Sequence, residues 1–386
     1  MPANMLSADT QAWGIFPGTE EIQSLAAFLQ PEGHAVTFCY SLHSFPDRSH
    51  HTEAVAIGKL VQDQIAKFAS GALPKALSKD LDVILAMTEE IQRTPARWRA
   101  VYTCGAQNIL REFDLPAPES AARLNVAGHF FLSPLLGAMQ SCRQYRVVLV
   151  ESGKARLFEV RGTEIQEIVH NLPEGDLTRR SEDSRVGWSK HIDGNVEHQE
   201  RAWFRMLVEK LGQLPGEHGP GTLVVGCRDD MQGELQPCFA GLEDSVIGWF
   251  HLPSFEMGAE QVLNEARPLF EQYEQERCRN LLHAIDEDHV HGVQGLNDVL
   301  KGLVARRVQT IMVGDMRDQI VAECATCRQL QPKLTGRCAS CGSSMLVPVP
   351  ADEALIRLAL AQKTEILIFP HDEAKPFIGV AAMLRY

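Results

Sequence analysis

"RVVLVESGKARLFEVRGTEIQEI", residues 146–168, alternates apolar and polar side chains and breaks at Ser152-Gly153 and again at Arg161-Gly162. A period of two belongs to half-buried strands, and a polar pair ending in glycine suits a tight hairpin turn. The stretch therefore reads as a meander of three strands. Downstream comes a polar loop, "DLTRRSEDSRVGWSKHIDG" (176–194), and then a helix from about Val196 to Leu211. Trp203, Phe204, Leu207, Val208 and Leu211 form the apolar stripe of that helix. "TLVVGC" (222–227) and "SVIGWFHL" (245–252) read as further strands, which makes residues 146–256 a mixed α/β domain.

The regions on either side are also mixed. Upstream, "AVTFCYSL" (35–42) reads as a strand, Thr52 to Phe68 and Leu81 to Arg93 as helices, and the segment from Trp98 as a hairpin turning at Gly105 to Asn108. "FFLSPLLGAMQSC" reads as a strand end followed by a short helix. Downstream, a long helical pattern runs from Ala259 to Ile285. Helix (296–306), strand (308–314), a cysteine-bearing insert, helix (351–361) and two closing strands follow it, the alternation of a layered α/β sandwich. Three domains are expected: 1–145, 146–256 and 257–386, the last with an insert at 321–346.

The whole chain supports this reading. Its 386 residues exceed one ordinary core, and 45% hydrophobic with 23% charged residues is the composition of a globular protein. No basic segment precedes an apolar one at the N-terminus and no apolar run is long enough to span a bilayer, so a cytoplasmic protein without membrane partners is expected. A formal charge of −13 repels polyanions at long range, so any contact with RNA has to be local.

The strongest motif is "CATCRQLQPKLTGRCASCG", in which Cys324 and Cys327 form one C-x-x-C knuckle and Cys338 and Cys341 a second. Two such knuckles can fold over a short hairpin and present four thiolates to one zinc ion, with Gly336 and Gly342 easing the turns. Four protein ligands leave no open position, so such an ion is structural. The remaining six cysteines, among them Cys39 and Cys227, are scattered and read as reduced thiols.

Two histidine clusters, "HSFPDRSHH" with Arg48, His50 and His51, and "DEDHVHG" at 286–292, read mainly as solvated loops. The first also has the residue types that contact RNA phosphate and sugar. Between Arg179 and His191 the loop carries Arg179, Arg180, Arg185 and Lys190 against only Glu182 and Asp183, around a single Trp188. It is either a solubilising connection or an RNA-contacting tip in which cations meet phosphates and tryptophan stacks on a base. No nucleophile elbow, Walker loop, dinucleotide fingerprint or zinc-protease helix occurs in the chain.

The order of parts points further. A meander ending "ARLFEV", a polar loop, a helix opening "HQERAWFRML", a strand "TLVVG", a long helix and a last domain with four cysteines before "DEALIRLALAQKTEILIFP" resemble the archaeal and eukaryotic class-one release factors and Pelota. The likeness is greater to their bacterial homologues, the group that includes the hibernation factor Balon. The resemblance implies three domains, the central one ribonuclease-H-like and the last of the L7Ae/L30e type with an inserted zinc ribbon. It also places the 176–194 loop where release factors carry Gly-Gly-Gln, yet the loop reads "RRSEDSRVGWSKHID" and that triplet occurs nowhere in the chain. The stop-codon motif Asn-Ile-Lys-Ser is missing too; "SFPDRSHHTEA" stands there.

The expectation is thus a ribosome-associated factor of the A site, contacting rRNA at the decoding and peptidyl transferase centres. It would serve in hibernation or protection of idle or stalled ribosomes, without hydrolysing peptidyl-tRNA. Arg179, Arg180, Arg185, Trp188, Lys190 and His191, with Arg48, His50 and His51, are its expected RNA contacts. A rescue hydrolase or nuclease acting through His191 or Asp193, and an adaptor that recruits a translational GTPase such as EF-Tu, are the alternatives.

Overall fold

A computed structural model describes residues 13–29, 34–41, 50–67, 74–90, 98–118, 122–172, 189–214, 221–316, 318–334, 336–369 and 377–385. In chain order these form α1 (Thr19–Ala27), β1 (Ala35–Ser41), α2 (His50–Lys67), α3 (Lys75–Glu90), β2 (Trp98–Cys104), β3 (Ile109–Leu115), β4 (Arg123–Ala127) and α4 (Ser133–Ser141). Next come β5 (Gln144–Glu151), β6 (Lys154–Arg161), β7 (Glu164–Leu172), α5 (Ser189–Gly212), β8 (Leu223–Cys227), α6 (Asp229–Leu235), β9 (Val246–His251) and α7 (Ala259–Glu287). The chain continues with β10 (Gly292–Gln294), α8 (Leu296–Val304), β11 (Val308–Val313), β12 (Ile320–Cys324), β13 (Leu330–Gln331), β14 (Leu346–Pro350), α9 (Ala351–Ala361), β15 (Glu365–Ile368) and β16 (Val380–Leu384). The fold is mixed α/β, and its contacts divide it into two compact units, Arg143–Glu274 and the combined segments Met1–Cys142 and Gln275–Tyr386.

The central unit is built on one sheet of order β7-β6-β5-β8-β9. The opening meander pairs antiparallel, and β8 and β9 then run parallel to β5. Because side chains alternate across a strand, β5 and β8 feed two cores. Val148, Val150, Leu223 and Val225 meet the α5 stripe of Trp203, Phe204, Leu207 and Leu211. Val147, Leu149 and Val224 pack with Val262, Ala266 and Phe270 of α7. Both faces are covered, which explains why β8 is apolar throughout. Gly226 has to stay small: a Cβ there would lie 2.5 Å from the ring of Phe250 and 2.8 Å from Leu149.

One charged side chain is locked inside this unit. The Arg156 guanidinium donates to both carboxylate oxygens of Glu167, at 2.8 and 2.7 Å. It also donates to the carbonyls of Phe255 and Met257, at 2.7 and 2.9 Å. It thereby fastens the meander to the segment that leads into α7, and the ring of Phe158 lies beneath it.

The other unit joins residues from both ends of the chain. Its first sheet, β3-β2-β1-β4, packs Val36, Phe38 and Tyr40 against Leu77, Leu81 and Ile84 of α3. The opposite face supplies Cys39, Trp98, Ala100 and Tyr102 to a core that also holds Leu135 of α4, Leu303 of α8, Leu355 of α9 and Val380 of β16. The second sheet runs β10-β16-β11-β15, and a third, β13-β12-β14, forms the cysteine insert. Helix α4 is anchored at both ends. Glu353 of α9 accepts from the N–H groups of Leu132 and Ser133, both at 2.8 Å, and Gln140 exchanges two hydrogen bonds of 2.9 Å with the backbone of Ile368.

Most expected elements are present, with three differences. Helix α3 starts at Lys75 instead of Leu81, with Leu77 of its first turn already in the buried stripe, and α5 starts at Ser189 instead of Val196, ahead of its stripe. The strand expected before α4 lies earlier, as β4, while residues 130–132 are not a strand. In β4 Arg123 and Asn125 do alternate with Leu124 and Val126, but the strand has only five residues, too few for the alternation to stand out.

Candidate functional site

The cysteine insert brings its four thiols together. Cys324 ends β12, and the turn after it is closed by a hydrogen bond from the Arg328 N–H to the Cys324 carbonyl, 2.8 Å long. The second knuckle repeats the device, with the Gly342 N–H donating to the Cys338 carbonyl at 2.9 Å. The residue after each knuckle is left-handed, Arg328 at φ 66° and Gly342 at φ 73°. Glycine meets this need without strain, while arginine in the first knuckle hides it from a reading of the sequence. Gly336, between the knuckles, has φ 97°. The Thr326 hydroxyl donates to that of Ser343 at 3.0 Å and ties one knuckle to the other.

The Sγ atoms of Cys324, Cys327, Cys338 and Cys341 all lie within 4.8 Å of one another. Two separations are short, 3.6 Å for Cys324 to Cys341 and 3.4 Å for Cys327 to Cys338. A tetrahedral ion with metal–sulfur bonds of about 2.3 Å places its sulfurs about 3.8 Å apart, so the four thiols fit such an ion. Backbone N–H groups favour the thiolate at two of them: that of Cys327 is the main cause holding Cys324 down to about 6, and that of Cys341 the main cause lowering Cys338. Cys341 itself is raised to about 12, against the N–H of Ser343, by its contact with Cys327, by desolvation and by the other two thiols. The group can hold a metal ion, and with four protein ligands it leaves that ion no open face.

An ionic chain connects this centre to the rest of its unit. Glu323, one residue before Cys324, receives Arg328 at 2.6 Å and Arg357 of α9 at 3.0 Å. His129 lies in the field of both arginines. Burial, then Arg357 and Arg328, hold its imidazole down to about 3, so it is neutral at physiological pH. None of these three contacts was legible as a motif.

Glu353 carries a measurable consequence. Burial is the main cause that lifts its carboxyl from 4.5 to about 8, against the N–H groups of Leu132 and Ser133 and the charge of Arg357. Between those values the folded chain holds a proton that the unfolded chain has released. Stability is therefore expected to fall as pH rises from 4.5 to 8 and then level off, by at most about 1.4 kcal/mol per pH unit from this group. Urea unfolding across that range should show the slope, and Glu353→Gln should flatten it.

The expected RNA contacts fall largely elsewhere. Arg179, Arg180, Arg185 and Trp188 lie outside the described residues, as does Arg48. Lys190 and His191 stand on the first turn of α5, and His50 and His51 open α2; their side chains are outside the described set. The second histidine cluster is a local turn, in which Asp288 accepts from the N–H groups of Val290 and His291 and meets the His291 ring at 3.0 Å. At the carboxyl ends of β8 and β9, His251 and Asp229 pair at 2.9 Å, both exposed, a juxtaposition that no sequence pattern announced.

Residues 131–271, which include the whole central sheet, match the sequence model of bacterial archaeo-eukaryotic release factor family 10. Over this stretch the chain is similar to the bacterial homologues of the archaeal and eukaryotic release factors. Solved structures of that group resemble it across nearly the full length. Dom34 of S. cerevisiae, a translation termination-like factor, is 9% identical with 99% of this chain and 97% of its own covered, at a TM-score of 0.37. Archaeoglobus fulgidus Pelota is 10% identical over 96% and 93%, at 0.36, and the archaeal termination factor aRF1 is 12% identical over 96% and 99%, at 0.24. No curated protein matches the chain. Among the described residues, no helix is long and apolar enough to cross a membrane.

Proposed function

We propose that this release-factor homologue is a ribosome-associated factor that occupies the A site of idle or stalled ribosomes and leaves peptidyl-tRNA intact. The observation that carries the reading is a replacement. A central region of release-factor type has "RRSEDSRVGWSKHID" where the hydrolytic relatives have Gly-Gly-Gln, and no such triplet exists in the chain. Small glycines let backbone approach the ester and position water; arginine, serine and tryptophan are too large for that approach but suited to phosphates and bases. The sheet order β7-β6-β5-β8-β9, with two strands parallel to the first strand of a meander, supports a ribonuclease-H-like reading of the central domain.

In this reading the regions 1–145 and 257–386 face the decoding centre and the factor-binding side. Zinc is the ion of the four-cysteine centre: it cross-links the two knuckles and supplies structure alone. Incubated with ribosomes carrying peptidyl-tRNA, the protein is expected to bind stoichiometrically and release no peptide. Peptide release with multiple turnover that is lost in His191→Ala would replace this reading with a hydrolase.

A further inference from the structure

A cavity of about 310 Å³ opens where the first sheet of the terminal unit meets α4 and β15. Cys39 of β1 and Arg123 of β4 are cross-strand partners, so both project from one face, and Trp98 stands on that face from β2. Helix α4 closes over them with Ser133, Gly137 and Ser141, four residues apart and therefore on one side of the helix. The volume is at the lower end of small-molecule sites, about 300–1,000 Å³.

Three observations specify what fits. Among the described residues, Arg123 is the single charged one in the lining, and it is exposed at the first position of β4. The remaining walls are apolar apart from two serines, and the Cys39 thiol, pushed up to about 12 chiefly by burial, is no nucleophile. Gly137 sits in the middle of α4, where glycine is a poor helix former. Packing does not require it, because a Cβ there would meet only Ile368, at an ordinary 3.8 Å. Its effect is to keep the cavity open.

We propose that this cavity binds a small organic anion with an apolar body, held without covalent chemistry and with its carboxylate or phosphate paired to Arg123. Arg123 also acts by charge on the Asp352 carboxylate, so the ligand shares the guanidinium with that residue. The site is independent of the ribosomal reading and stands or falls without it.

Calorimetric titration of the full chain with octanoate, octyl phosphate and octanol tests the site. Saturable one-to-one binding of an anion, about tenfold or more tighter than octanol, is expected, and the tighter of the two anions identifies the head group. Arg123→Gln should reduce the anions to the level of octanol. Gly137→Leu should abolish binding without lowering the melting temperature, and Ser141→Leu provides the same block if that variant does not fold. Absence of saturable binding by either anion, or binding unchanged in the folded blocking variant, overturns the proposal.

Discussion

If the centre takes zinc as proposed, the parent chain is expected to hold about one ion, and Cys338→Ser is expected to leave well under one per chain and to unfold the insert between β12 and β14. The thiols lie at separations of 3.4 and 3.6 Å across the two knuckles. Its sheet has one strand of two residues; Val321, Leu330 and Val349 reach the core, but Ile320, Leu334, Met345 and Val347 are exposed. So little buried apolar surface cannot offset the ordering of the chain, whereas structural zinc contributes about 10–16 kcal/mol at neutral pH in small zinc domains. Metal analysis with limited proteolysis should show metal loss and new cleavage inside the insert. Because ligands bind as thiolates, acidification should weaken metal affinity. The effect should extend to α9, since Glu323 sits between Arg328 of the first knuckle and Arg357. A fully folded insert in the presence of a strong chelator would contradict the metal reading.

The second large effect is at Arg156. Its replacement by alanine would leave Glu167 and the carbonyls of Phe255 and Met257 without their donor in one step. The side chain of Arg156 is 7% exposed and that of Glu167 27%, so solvent can rescue the carboxylate only in part. Breaking such a buried pair typically costs about 3–5 kcal/mol, enough to unfold a marginal domain. Arg156→Lys keeps the charge but cannot reproduce the paired contact to Glu167 together with two carbonyls, so it should recover less than half of the loss. Denaturant unfolding followed through tryptophan emission reads both variants. A loss below about 1 kcal/mol for Arg156→Ala would place this network among surface ion pairs.

Much of the central domain was legible because its signals are local. The Ser152-Gly153 and Arg161-Gly162 turns, the alternation between them and the apolar stripe of α5 all lie within a few residues of what they specify. The cysteine knuckles were legible for the same reason, as spacing alone limits what four thiols can do. Contacts without a local signature were not legible. Glu353 meets Leu132 across 221 residues, and nothing in "DEALIRLALA" marks one carboxylate as the cap of a distant helix. Strands β12, β13 and β14 escaped notice because their burial does not alternate: β12 buries four of its five residues, β13 has only two residues, and β14 buries one of its five. The common core that joins Trp98 and Leu135 to Leu355 and Val380 has no periodic trace either.

The stretch of sequence that gives the ribosomal reading its force is the basic one around Trp188. Co-sedimentation of the purified protein with ribosomes whose A site is vacant or filled by tRNA, at physiological salt, tests it most directly. Binding to the vacant ribosomes alone is expected, and a variant with Arg179→Ala, Arg180→Ala and Trp188→Ala should lose at least about tenfold in affinity, since each phosphate contact and each stacked base contributes of the order of 1 kcal/mol or more. No binding to either ribosome, or equal binding by parent and variant to both, would contradict an A-site factor.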